Sequence, residues 1–205
     1  MTILQVDQLT KKIKGMPIIQ DVSFKLDEGQ IVGLVGANGA GKTTLMKVIL
    51  GLSNYQDGSY KVRANTNNKS NTGALIESPG VYPFLTGYDN LKLLCESKEK
   101  NAIDDIVKKL KMDRYIHKKA KTYSLGMKQK LGIAIAFLNH PQLIVLDEPM
   151  NGLDPKAVRD VRELIVETAK QGTTFLISSH ILSELVKITD SILIIDEGKI
   201  IKQTT

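Results

Sequence analysis

Residues 36–43 read Gly-Ala-Asn-Gly-Ala-Gly-Lys-Thr, and Thr44 follows. The spacing G-x-x-x-x-G-K-[ST] is that of a phosphate-binding loop, the P-loop. Glycines let successive backbone N–H groups turn inward around a phosphate, where side chains would obstruct it. A helix opening at Lys42 aims its positive end at the same anion. Lys42 adds a cation for the β- and γ-phosphates, and the Thr43 hydroxyl suits Mg²⁺. Gly36, Ala37, Asn38, Gly39, Ala40, Gly41, Lys42, Thr43 and Thr44 are therefore candidate nucleotide-binding residues.

A second constellation ends an apolar run. Residues 143–146 are Leu-Ile-Val-Leu, and Asp147 and Glu148 follow. Asp147, at a strand end beside the loop, can hold Mg²⁺ through a water. Glu148, one residue on, projects differently and suits polarising a water aimed at a γ-phosphate.

These groups need a scaffold. Alternating apolar residues predict strands at 3–6 and 22–26, and a β-branched run at 30–35 leads into the loop. Leu45, Val48, Ile49 and Leu52 share a face and predict a helix over 42–52. Residues 53–72 are polar, with a short strand at 60–63, and a further strand is expected at 73–76. From about 86 to 140 the pattern turns helical. Asn101 and Ser124 are candidate N-caps there. Strands return at 143–146, 174–178 and 192–195. Asp154-Pro155 opens a helix between the first two, an N-cap followed by proline at the first helical position. Residues 196–199 form a turn between two short C-terminal strands. The expected fold is α/β: a P-loop NTPase core with a largely parallel sheet, N-terminal antiparallel strands and an inserted helical subdomain. One domain over 1–205 is expected, its core at about 1–85 and 141–205 and its helical lobe at about 86–140.

Over essentially the whole chain the sequence resembles the nucleotide-binding subunits of ABC transporters. Residues 123–130, Tyr-Ser-Leu-Gly-Met-Lys-Gln-Lys, look like the family signature LSGGQ. Ser124 and Gly126 hold its two most important positions, while Leu125 and Met127 depart from it. Residues 149–154 are similar to the D-loop, and His180 stands at the place of the switch histidine. The resemblance implies catalytic roles for Glu148, His180, Lys42 and Glu77. It implies nucleotide contacts for Ser124 and Gly126, and Mg²⁺ contacts for Thr43, Asp147 and Glu77.

Two positions depart from the common pattern. Glu77 replaces the usual glutamine of the Q-loop. Together with residues 82–91 it resembles the branch of bacitracin and lantibiotic resistance and immunity transporters. Ile13 stands where an aromatic residue commonly stacks on adenine, which implies weaker base discrimination. The resemblance also implies ATP and Mg²⁺ as cofactors and a second nucleotide-binding subunit, identical or related. It implies a polytopic membrane permease as partner, an antimicrobial peptide as cargo, and a place at the cytoplasmic face of the membrane. No direct nucleic acid contact is expected. An alternative is a soluble ABC ATPase acting on nucleic acid or ribosomes; a non-enzymatic regulator is disfavoured by the intact Asp147, Glu148 and His180.

Composition narrows the classes further. With 205 residues, 42% apolar and 24% charged, the chain has the material for one packed core. Unbroken apolar runs such as 143–146 and 192–195 are too short to span a bilayer. No basic-then-apolar leader opens the chain, which points to the cytosol. Cys95 alone excludes an internal disulfide framework and a multi-cysteine metal site. Net charge is +6, and residues 98–130 concentrate it with eleven Lys/Arg against four acids. That stretch suits either an anionic partner, nucleic acid or membrane surface, or a solvated helix face.

Overall fold

A computed structural model describes residues 1–63, 72–96 and 101–204. The chain begins with a long hairpin, β1 (Thr2–Ile13) and β2 (Met16–Asp27). These strands extend well beyond the expected 3–6 and 22–26. Their outer halves carry polar residues that hide the alternation, and Lys14 takes a left-handed φ of 51° to close the turn. Strand β3 (Ile31–Val35) leads into the glycine-rich loop, and α1 (Lys42–Ile49) leaves it. Helix α1 ends three residues before the expected Leu52, which is exposed. Strand β4 (Asp57–Val62) joins β1 and β2 in an antiparallel sheet of order β2-β1-β4.

Strand β5 (Thr72–Leu75) precedes the helical stretch, which holds α2 (Gly87–Leu94), α3 (Ala102–Lys109) and α4 (Leu125–Phe137). Ser124 caps α4 by accepting from Met127 N–H, whereas Asn101 precedes α3 without a side-chain cap. Next come β6 (Leu143–Asp147), α5 (Pro155–Lys170), β7 (Thr174–Ser179), the unanticipated single turn α6 (Leu182–Leu185), β8 (Ser191–Asp196) and β9 (Lys199–Thr204). The second sheet runs β5-β6-β7-β3-β8-β9. Its pairs are parallel except β8–β9, which form the expected C-terminal hairpin.

The parallel sheet is covered on both faces, and for that reason its strands read as unbroken apolar runs. Side chains alternate between two clusters. Ile144, Leu146, Phe175 and Ile177 pack with Leu131, Val161 and Ile165 of the helical side. Leu143, Val145 and Leu176 pack with Leu45 and Met46 of α1 and with Leu4, Val6 and Leu26 of the antiparallel sheet. The strand period of two thus clamps β6 and β7 between layers. Among the described residues, no helix is long and apolar enough to cross a membrane.

Part of the basic stretch is neutralised internally. Lys109 pairs with Glu167 at 3.1 Å and Lys111 with Asp160 at 2.5 Å, both partners on α5. Lys98, Glu99 and Lys100 lie outside the described residues.

Candidate nucleotide site

The loop between β3 and α1 is held from both sides. Ala40 N–H donates to the Ala37 carbonyl, and the Ala40 carbonyl accepts from Gly198 N–H at 3.0 Å, tying the loop to the β8–β9 turn. A Cβ at Gly36 would lie 2.3 Å from the Ile195 carbonyl oxygen, so only glycine lets the chain pass there. No side chain caps α1. The Lys42 ammonium, 6% exposed, donates to the carbonyls of Gly36 at 2.7 Å and Ala37 at 3.1 Å. Asn38, Gly39, Gly41, Lys42, Thr43 and Thr44 line a cavity of about 180 Å³ together with Ile18, Asp147 and Glu148.

Both predicted carboxylates stand at the mouth of that cavity because β6 ends beside the loop. Asp147 is buried and accepts from Thr43 Oγ1 at 2.7 Å on one oxygen and from Ser178 Oγ at 2.5 Å on the other. Ser178, paired with Asp147 across β6–β7, also accepts from Glu148 N–H at 2.9 Å. Glu148 turns out of the strand with φ 50°, and its Oε2 meets His180 Nδ1 at 2.9 Å. The histidine follows β7 directly. Thr43 and Asp147 offer the hard oxygen donors that Mg²⁺ prefers, with phosphate and water completing the set. Among the described residues, no group of three or more His, Cys, Asp or Glu side chains could hold a metal alone.

Ser124 and Gly126 line a different cavity, of about 400 Å³, with Tyr115, Gly152 and Asp154. A Cβ at Gly126 would lie 2.8 Å from the Gly152 carbonyl oxygen, so the start of α4 rests on the backbone after β6. Gln129, 6% exposed, strengthens that contact by donating to the carbonyls of Glu148 at 3.3 Å and Pro149 at 3.2 Å. Asp154 caps α5, accepting from Lys156 and Ala157 N–H groups at 2.9 Å. The Ala157 N–H bond holds its carboxyl below the usual range against some desolvation, with Lys156 N–H and the charges of Lys130 and Lys156 assisting. Burial, with Tyr123 nearby, pushes the Tyr115 hydroxyl well above the ordinary tyrosine range. Burial also raises Tyr123, opposed by a hydrogen bond at the Gly87 backbone.

Residues 19–151 match the ABC transporter family. The chain belongs to the ABC transporter ATPase family. A lantibiotic transport ATP-binding protein of Streptococcus pyogenes is 38% identical over 97% of this chain and 89% of its own length. A bacitracin transport ATP-binding protein of Enterococcus faecalis is 37% identical over 98% of this chain and 68% of its own. An ABC transporter ATP-binding protein of Bacillus subtilis, itself uncharacterized, is 41% identical over 97% and 68%. Among solved structures, an ATP-binding subunit of an ABC transporter superposes with a TM-score of 0.90 at 29% identity, covering 99% of this chain and 90% of its own.

Against that family background two predicted residues sit apart from the cavity lined by the glycine-rich loop. Glu77, 62% exposed at its side chain, pairs with Lys47 at 2.7 Å and does not line the cavity with Thr43 and Asp147. Ile13 lies at the tip of the β1–β2 hairpin, paired with Met16 and half exposed. Ile18 on β2 is the apolar residue that lines the cavity. Sequence reasoning missed Ile18, Ser178, Gln129 and Lys47. Ser178 closes an apolar strand and Gln129 lies inside a helix, so neither carries a local signal; only the fold makes them neighbours of Asp147 and Glu148.

Proposed function

We propose that this chain is the ATP-hydrolysing subunit of a transporter that exports or removes antimicrobial peptides or similar amphipathic molecules. Its cavities are the supporting observation. The phosphate loop, Asp147 and Glu148 line one, with His180 against Glu148, and the signature residues Ser124 and Gly126 line another. A site needing both is completed by a second nucleotide-binding subunit, whose signature closes over the first subunit's ATP. Two ATP molecules then join the halves.

In this reading the loop amides and Lys42 bind the β- and γ-phosphates. Thr43 and Asp147 hold Mg²⁺, which neutralises developing phosphate charge when bound. Glu148 accepts a proton from the attacking water, and His180 fixes the orientation of the carboxylate through the 2.9 Å contact. Glu77, if freed from Lys47, would offer a further oxygen donor to the metal or to a water. Loss of the γ-phosphate releases the halves, and that motion drives a separate membrane permease at the cytoplasmic face. Tyr82, Phe84, Leu85, Leu93 and Leu94 expose apolar surface around α2, a fit for an amphipathic segment of such a permease. The antimicrobial-peptide cargo rests on Glu77 and on the lantibiotic and bacitracin relatives.

Glu148→Gln tests the assignment. The variant should bind Mg-ATP, dimerise with it in light scattering, and release no phosphate. Unchanged hydrolysis would remove Glu148 from its role.

A further inference from the structure

Glu77 brings a carboxylate to a position where the family commonly has a neutral amide, and the fold supplies a cation for it. Lys47 Nζ donates to Glu77 Oε1 at 2.7 Å. Lys47 lies four residues after Thr43 on α1, so the two side chains share a helix face, roughly 6 Å apart. Thr43 in turn contacts Asp147. The ion pair therefore stands one helical turn along from the oxygen pair that suits Mg²⁺.

The backbone at Glu77 is also unusual. Its φ is 59°, and Ser78 N–H donates to the Ile76 carbonyl at 2.8 Å across it. A γ-type turn centred on a residue with positive φ is rare and strained, and such strain persists where the surroundings hold it.

Charge explains why a holder is useful. Asp147 and Glu148 already place two carboxylates at the cavity mouth, while the Lys42 ammonium is engaged by the Gly36 and Ala37 carbonyls. An entering triphosphate carries several more negative charges. A third free carboxylate beside them would repel it.

We propose that Lys47 is a positioning residue for the nucleotide site: it neutralises Glu77 and holds that carboxylate one turn along α1, so that a triphosphate enters without opposing it. The inference rests on reading residues 36–43 as the nucleotide site. Both partners are substantially exposed, so the pair contributes little to folding, and its effect on nucleotide is separable from stability.

The experiment is calorimetric titration of the full chain with ATP and with Mg-ATP at low ionic strength. It compares the unmodified protein with Lys47→Met, Lys47→Arg, Glu77→Gln and the Lys47→Met/Glu77→Gln double variant. Lys47→Met should weaken binding about three- to tenfold, less so in high salt, and Lys47→Arg should retain affinity. In hydrolysis assays the Lys47→Met loss should appear in KM more than in kcat. Measured against Glu77→Gln alone, the double variant should show no such loss, because the charge that needed neutralising is gone. A Lys47→Met loss that persists undiminished without Glu77, or no loss at all, overturns the proposal alone. Failure of the unmodified chain to bind nucleotide overturns the nucleotide-site reading and this proposal with it.

Discussion

Ser178 and Asp147 face each other across neighbouring parallel strands, and the serine hydroxyl serves two residues at once. It donates to the Asp147 carboxylate and accepts from Glu148 N–H. One buried oxygen thus fixes both members of the acidic pair.

Ser178→Ala should therefore do more than remove a hydroxyl. It leaves a carboxylate oxygen and an N–H short of a partner at a buried site, a cost of about 1–3 kcal/mol. Thermal unfolding should fall by roughly 3–10 °C for a chain of this size. Hydrolysis should drop further than nucleotide affinity, because Glu148 loses its anchor. A variant with unchanged melting and turnover would show that the bridge carries no weight.

His180→Ala removes the partner of Glu148 without touching the phosphate loop. Turnover should fall about a hundredfold, with Mg-ATP affinity within a few-fold of the unmodified chain. Phosphate-release kinetics and calorimetry on the same preparation separate the two effects. Equal losses in both would move the histidine from orienting the carboxylate to gripping nucleotide.

Gly126→Ala places a methyl group against the Gly152 carbonyl, where a Cβ has only 2.8 Å. The start of α4 must shift. Since Gly126 lines the second cavity, binding of ATP to the isolated subunit should persist, while ATP-dependent dimerisation and hydrolysis should fall at least tenfold. Size-exclusion chromatography with ATP, in a background where hydrolysis is blocked, reads the first; phosphate release reads the second.

Asp154 provides a pH test. Its carboxyl is held below the usual range, first by Ala157 N–H. A depressed folded-state value means that the charged form stabilises the fold above the unfolded value of about 4, and that this contribution fades as pH falls through the lower folded value. Asp154→Asn keeps a capping side chain but loses the charge. The stability gap between the two proteins in urea should be flat from pH 7 to about 5 and close below about pH 4. A gap that persists unchanged to the acid limit would assign it to shape instead of charge.

Much of this was legible in the residues. The phosphate loop, the acidic pair, the Ser124 and Asp154 caps and the C-terminal hairpin all carry local signals, because each depends on residues close in sequence. Other features depend on the sheet order, in which β3 lies between β7 and β8 although it precedes both by more than a hundred residues. The β6–β7 pairing brings Ser178 to Asp147 and sets His180 beside Glu148, while the β3 crossing carries the glycine-rich loop and Thr43 to the same place, and no local pattern encodes either. Similarly, β2 folds back along β1 and presents Ile18 to the cavity, whereas Ile13 stays at the hairpin tip. The Lys47–Glu77 pair spans thirty residues and needs both α1 and the loop after β5 to be in place.

Gln129 has a mechanical meaning. Its amide bolts the second turn of α4 to the backbone immediately after the acidic pair. If that stretch of chain is displaced when phosphate departs, the helix must follow, as a lever follows its pin. On the two-subunit reading proposed above, α4 would carry Ser124 and Gly126 with it, so spent fuel in one chamber would be felt in the other.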